Sequence, residues 1–149
     1  MIGILILTHG GTARELLHAA QVIAGPLSNF DALSLDWSDC FEEAKPKIKN
    51  ALRLLDQGEG VLILTDMFGG TPSNVAMSFH DPGRVEILSG VNLPMVLRLA
   101  CNPSRNGGVA ELGHWLQDKG RKSMCLASDM VHNTSCENSC LAVPEGRHD

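Results

Sequence analysis

Short apolar runs alternate along the chain with longer segments in which apolar residues recur at helical spacing. Runs that are apolar almost throughout are typical of strands buried on both faces of a parallel sheet. The strand candidates cover residues 1–7, 30–35, 61–64, 85–88 and 123–127. Because helical segments connect them, the pattern predicts βαβ crossovers. The expected fold is α/β, a three-layer sandwich with a mainly parallel central sheet of four to five strands.

Capping residues set the predicted limits of the helices. Thr12 is the expected N-cap of the first helix, which follows the first strand candidate. Thr71 and Pro72 are typical of an N-cap followed by a first helical position. Two further helices are predicted, over about 94–101 and 109–119.

Pro46 decides the predicted start of the second helix. An interior proline costs a helix about 3 kcal/mol, so we predict that this helix begins at Pro46. Residues 39–45 are then expected to form a turn or a kinked first segment. Asp39 and Glu42 in this segment have the spacing of a capping box.

The length of 149 residues suits one core, and we place a domain at 1–128 and a polar C-terminal tail at 129–149, where the periodic pattern is lost. The net charge of −5 argues against a nucleic-acid partner. No apolar run reaches the roughly 20 residues of a membrane span, and no signal-peptide pattern begins the chain. With its five cysteines expected to stay reduced, the chain is predicted to be cytoplasmic, without membrane insertion.

Polar residues follow three of the strand candidates at the point where each strand ends. Because parallel strands end at one edge of a sheet, these residues are expected to lie close together. They are, in chain order, Thr8 and His9, then Thr65, Asp66 and Thr71, then Asn92.

A histidine beside a carboxylate is a useful chemical pair. The carboxylate of Asp66 can accept a hydrogen bond from one ring nitrogen of His9 and leave the other as a nucleophile. Gly10 allows a tight turn after the histidine. Gly69 and Gly70, followed by a helix start, offer main-chain N–H groups to a phosphoryl group. No cofactor motif accompanies these residues, so we predict a site without cofactor or metal.

Three segments resemble the EIIA component of the mannose/fructose/sorbose class of the bacterial phosphoenolpyruvate-dependent sugar phosphotransferase system. Thr8-His9-Gly10 matches the phosphorylated-histidine segment of that family. Residues 66–74 and 90–95 match its second and third loops, and the resemblance covers about 1–127.

The resemblance implies that His9 accepts a phosphoryl group from the phosphocarrier HPr and passes it to an EIIB protein. It implies that Asp66 orients His9, that the protein is a phosphotransferase, and that it forms a homodimer. The supporting phosphate-site residues would be Thr8, Gly10, Gly69, Gly70, Thr71 and Asn92. A role in sugar uptake and a role in its regulation both stay open, and so does the choice of phosphorylated nitrogen.

Two other classes of function compete with a phosphocarrier. One is a regulatory module that binds an anion without chemistry, and the other is a hydrolase with His9 as its base. The hydrolase lacks a nucleophile, since no Gly-x-Ser-x-Gly sequence and no cysteine lie in the three loops.

Several other residues are given a structural role in preference to a chemical one. His18 is expected to be a surface or packing residue of the first helix. Cys101 and Cys125 are expected in the core, and Trp37 near the strand-end edge. A metal site is the minor alternative for a group of residues at four-residue spacing, namely His132, Cys136 and Cys140.

Overall fold

A four-stranded parallel sheet with helices on both faces forms the fold. The computed structural model describes residues 1–102 and 107–130. The elements are β1 (Gly3–His9), α1 (Thr12–Ala24), β2 (Phe30–Leu35), α2 (Phe41–Leu55), β3 (Val61–Thr65), α3 (Thr71–Met77), β4 (Val85–Ser89), α4 (Leu93–Cys101), α5 (Val109–Arg121) and α6 (Ala127–Met130).

The two most apolar strands occupy the centre of the sheet. The strand order is β2-β1-β3-β4, and every neighbouring pair is parallel. β3 is buried along its whole length and β1 as far as Thr8, whereas most of β2 and all of β4 are partly exposed. Leu7 of β1 pairs with Thr65, the last residue of β3, so β1 extends two residues further at this edge of the sheet. The predicted parallel α/β sheet is confirmed, with four strands.

Each face of the sheet carries its own hydrophobic core. Ile4 and Ile6 of β1 pack in the core that includes residues of α1, α4 and α5. Leu5 and Leu7 lie in the core that includes residues of α2 and α3. This alternation follows from the two-residue period of a strand, and it confirms the predicted three-layer sandwich.

The predicted start of α2 at Pro46 is wrong, because the helix begins five residues earlier and contains the proline. A hydrogen bond and a buried side chain stabilise the segment before the proline. The Cys40 main-chain N–H donates to Glu43 Oε2 at 3.1 Å, and the side chain of Ala44 is fully buried. The capping box is therefore Cys40 with Glu43 instead of Asp39 with Glu42.

Both predicted threonine caps are also displaced by one residue. Gly11 is the N-cap of α1, and Gly70 is the N-cap of α3, so Thr12 and Thr71 are the first residues of their helices. At α1 the capping function comes from the strand, since the Ala13 N–H donates to Thr8 Oγ1 at 2.8 Å. A side chain outside the helix replaces the cap that local spacing predicts.

The predicted fifth strand over 123–127 does not form. Residues 123–126 have no regular structure, and Ala127 begins the short helix α6. Cys101 and Cys125, which we expected in the core, are exposed. Of the predicted tail only its first two residues are described, and the metal alternative at His132, Cys136 and Cys140 lies outside the described residues.

Within the described part of the chain, no helix combines the length and apolar character that a membrane crossing requires.

Because Pro46 lies inside α2, we expect it to lower the stability of the protein. Pro46→Ala restores a donor to the helix, so we expect the free energy of unfolding to rise by about 1–3 kcal/mol. Urea denaturation measures this change. Lys49→Ala, at an exposed position of the same helix, is the control and should alter stability little. If Pro46→Ala is no more stable than the wild type, the proline does not destabilise α2.

Candidate functional site

The site lies at the carboxyl edge of the sheet, where β1 and β3 end side by side. His9 is the last residue of β1, and Asp66 directly follows β3. Because the two strands are parallel neighbours, the residues at their carboxyl ends lie close together, and His9 meets Asp66 across the strand boundary. The structure thus brings together the two residues that the strand-end pattern predicts as a pair.

Asp66 holds His9 through two hydrogen bonds to one carboxylate oxygen. His9 Nδ1 lies 2.8 Å from Asp66 Oδ2, and the His9 main-chain N–H donates to the same oxygen at 3.1 Å. The second oxygen, Oδ1, accepts the Met67 N–H at 3.0 Å. Both side chains are mostly covered, with 18% of His9 and 25% of Asp66 exposed. The imidazole is therefore fixed relative to its own backbone.

The charge of Asp66 decides the tautomer of His9. Partial burial acts to raise the pKa of Asp66, but the hydrogen bonds and charge interaction with His9, together with the hydrogen bond from the Met67 N–H, hold the pKa below its usual range. An ionised carboxylate has no proton to donate, so Nδ1 of His9 carries the hydrogen of the shared bond. In the neutral ring Nε2 then keeps its lone pair, and no hydrogen bond within the described residues engages it.

Two further groups border the imidazole. The indole of Trp37 stacks on it, with 5.1 Å between ring centroids and an interplanar angle of 18°. On another side lies Gly70, where an added Cβ would stand 2.6 Å from Cε1 and 3.0 Å from Nε2 of His9. Only a residue without a side chain leaves space beside Nε2.

Thr8 and Gly10 support His9 through the backbone on either side. Thr8 is fully buried, and its hydroxyl accepts the Ala13 N–H and donates to the His9 carbonyl at 3.3 Å. Gly10 adopts a φ of +55°, and its N–H donates to the Leu35 carbonyl at 2.9 Å. The positive φ favours glycine, which explains the residue type after the histidine.

The other predicted support residues make mostly internal contacts. The Gly69 N–H donates to Ser73 Oγ at 2.9 Å, so it is already engaged. Asn92 caps α4, since its Oδ1 accepts the Met95 N–H at 3.0 Å, and its Nδ2 donates to Ser123 Oγ at 3.1 Å. The side chain of Thr71 is exposed at the start of α3.

The remaining described histidines lie outside this arrangement. His18 and His114 are exposed on helices, and His80 lies 3.4 Å from Glu86 Oε1. Across residues 1–102 and 107–130 no group of three or more His, Cys, Asp or Glu side chains is arranged to hold a metal ion.

The stacking of Trp37 and the serine bond to Gly69 were not predicted from the sequence. Trp37 was expected near this edge, and its position two residues after β2 is the signal that identifies it. Ser73 lies within a matched segment, but nothing in its spacing indicates a bond back to the preceding turn.

Comparison with known proteins shows the family of this chain. The family model described as "EIIA-man: PTS system fructose IIA component" matches residues 3–109. The mannose-specific EIIAB component of Escherichia coli (strain K12) is 35% identical over 124 residues, which are 83% of this chain and 38% of that protein. The sorbose-specific EIIA component of Lacticaseibacillus casei is 28% identical over 132 residues, covering 87% of this chain and 94% of that protein.

Solved structures agree with the sequence relatives. The mannose/sorbose-specific IIA subunit from Enterococcus faecalis superimposes with a TM-score of 0.75 at 28% identity, covering 84% of this chain and 93% of that one. The EIIA component from Streptococcus agalactiae has a TM-score of 0.77 at 22% identity, covering 87% and 99%, and supports the fold. The chain spans about 38% of the length of the Escherichia coli relative.

The fold is that of phosphotransferase-system EIIA components. The chain belongs to the EIIA-man family, the mannose-type EIIA components of the sugar phosphotransferase system.

Asp66→Asn tests what holds the ring. The amide lacks the charge that fixes Nδ1–H, so we expect the single tautomer of His9 to give way to a mixture in ¹⁵N NMR spectra. Because the pKa of Asp66 is lowered in the folded protein, the wild type should be more stable than the variant at pH 7. That advantage should disappear as the pH falls through the lowered pKa.

Asp31→Asn, on the edge strand β2, is the matched control and should leave the tautomer of His9 unchanged. An unchanged tautomer in Asp66→Asn would show that another group orients His9.

Proposed function

We propose that His9 is a phosphoryl acceptor, taking the group from phospho-HPr and passing it to an EIIB protein. The observation that carries this proposal is the bond between Nδ1 of His9 and the ionised Asp66, which leaves Nε2 as the nucleophile beside Gly70. Membership in a family of phosphotransferase-system components supports the same chemistry.

The proposed transfer needs no proton to leave the ring. The lone pair of Nε2 forms a bond to phosphorus while the bond from phosphorus to the donor breaks, and the donor atom keeps those electrons. The ring of His9 then holds phosphorus at Nε2 and hydrogen at Nδ1, so it gains a positive charge. Asp66 is placed at Nδ1 to stabilise that charge. Transfer to the acceptor reverses each change.

The surrounding residues have separate roles in this proposal. Thr8 and Gly10 fix the backbone of His9, and Gly69 shapes the turn that brings its neighbours to the ring. The main-chain N–H groups of Gly70 and Thr71 are the donors that we assign to the phosphoryl oxygens. Asn92 supports the edge through its cap on α4.

The proposed setting is the cytoplasm, with HPr as donor and EIIB as acceptor and without nucleic acid. The relatives' names specify mannose, fructose and sorbose, so we propose this class of sugars without choosing among them. A regulatory module that binds an anion without chemistry is the alternative, and covalent labelling separates the two.

His9→Gln should remove all phosphoryl uptake. Incubation with phosphoenolpyruvate, Enzyme I and HPr, followed by intact mass measurement, should show one acid-labile, base-stable phosphate on the wild type and none on the variant. His18→Gln, at an exposed position of α1, is the matched control and should label fully. If the His9→Gln variant is still labelled, another residue is the phosphoryl acceptor. An unlabelled wild type would favour the anion-binding module.

We also propose that the working protein is a homodimer in which residues 123–126 pair across subunits. Met124 is 86% exposed and Leu126 is 67% exposed, in a segment without regular structure in the single chain. Neighbouring large apolar side chains at this exposure favour contact with another surface. β4 at the edge of the described sheet offers unpaired backbone groups for a further strand.

Met124→Asp should convert this dimer to a monomer, because a buried charge at the interface costs several kcal/mol. Light scattering at micromolar concentration measures the mass. Leu54→Asp, a comparably exposed apolar residue on α2, is the control and should stay dimeric. A monomeric wild type would contradict the proposal.

A further inference from the structure

Trp37 is exposed to solvent and also stacks on the histidine of the site. It is 83% exposed to solvent, yet its ring lies nearly parallel to the imidazole of His9. An indole with so much exposed surface contributes little to a hydrophobic core. Its one aromatic contact among the described residues is with the proposed phosphoryl acceptor.

A tight turn presents Trp37 to His9. The Asp36 N–H donates to Asp39 Oδ2 at 3.0 Å, and the Asp39 N–H donates to the Asp36 carbonyl at 2.9 Å. Lys47 of α2 lies 3.0 Å from the same Oδ2 and ties this turn to the helix. The hydrogen bond from Lys47, with that from the backbone of Asp36, lowers the pKa of Asp39, so the turn keeps its ionised carboxylate.

The backbone of Gly10 also lies beside the indole. A Cβ at Gly10 would stand 3.6 Å from Trp37 Nε1, at ordinary contact distance. The ring of His9 is thus bordered at one nitrogen by Asp66, beside the other by Gly70, and on a face by Trp37.

We propose that Trp37 is a positioning residue for phosphoryl transfer, whose π face holds the His9 ring and stabilises the positive charge that the ring gains. This inference rests on the proposed function. A cation over an indole face is attracted by the ring quadrupole. At an exposed site this attraction corresponds to a rate effect of about two- to fivefold. Asp66 acts on the same charge from the edge of the ring, so the two contributions are separate.

A loss of rate in a Trp37 variant could also come from weaker docking of a partner protein, so the experiment must separate docking from the effect on the His9 ring. Phe68 is 78% exposed and Met67 is 56% exposed, and both directly follow Asp66. Loss of any exposed apolar side chain here can weaken partner contact. A small phosphoryl donor, phosphoramidate, needs no docking surface and reports on the ring alone.

The experiment compares Trp37→Ala, Trp37→Leu and Trp37→Phe in the rate of His9 phosphorylation by phosphoramidate. Trp37→Leu keeps an apolar cover without a π face. We expect the alanine and leucine variants to be about two- to fivefold slower than the wild type, and the phenylalanine variant to recover most of the rate. Phe68→Leu is the matched control and should equal the wild type with this donor.

A wild-type rate in either Trp37→Ala or Trp37→Leu would overturn the proposal. So would a loss of rate that occurs with phospho-HPr but not with phosphoramidate, because it would assign Trp37 to docking.

A second measurement tests the stack without any phosphoryl transfer. The indole ring current should shift the Cε1–H resonance of His9 upfield in the wild type, and Trp37→Ala should remove that shift. The same resonance position in both proteins would overturn the proposal. If the ring-current shift is present but the wild type takes up no phosphate, the proposed function fails while the stack stands.

Discussion

The hydrogen bond between His9 and Asp66 joins the ends of the two central strands, and the rest of the site is arranged around it. It forms because β1 and β3 are parallel neighbours whose carboxyl ends lie at the same edge of the sheet. A shift of one residue in this pairing would turn each side chain to the opposite face of the sheet. The two buried cores fix that register, since each takes alternate residues of β1. Packing far from the site therefore determines the geometry of the imidazole.

The sequence was most informative where one physical pattern dominates. The central strands are apolar almost throughout because both of their faces are buried, and this pattern predicted the parallel sheet and the meeting of His9 with Asp66. Predictions from local spacing were weaker. The start of α2 was misplaced because Ala44 is buried by tertiary packing, which outweighs the preference of Pro46. Residues 123–127 have strand-like composition but no pairing partner within the single described chain.

Some features of the site depend on contacts that no short-range pattern encodes. The turn that presents Trp37 is closed by Asp39 and Lys47, eight positions apart, and the indole meets a residue that lies 28 positions earlier. The backbone conformation of Gly70 is one that any residue can adopt. Only its distance from the His9 imidazole shows that a side chain would not fit at this position. The hydroxyl of Thr8, on β1, accepts a hydrogen bond from the Ala13 N–H in the first turn of α1. The stack of Trp37 on His9 and the approach of Gly70 to the imidazole join segments that are far apart in the sequence.

The stacked indole has a consequence for how the protein can be observed. The chain contains two tryptophans, and one of them lies against the imidazole at the centre of the site. Indole emission depends on the charge of the groups in contact with it. The other tryptophan, Trp115, packs against the hydrophobic core on α5. We therefore expect a change in the charge of His9 to alter the emission of Trp37, which would report on the site without any attached label.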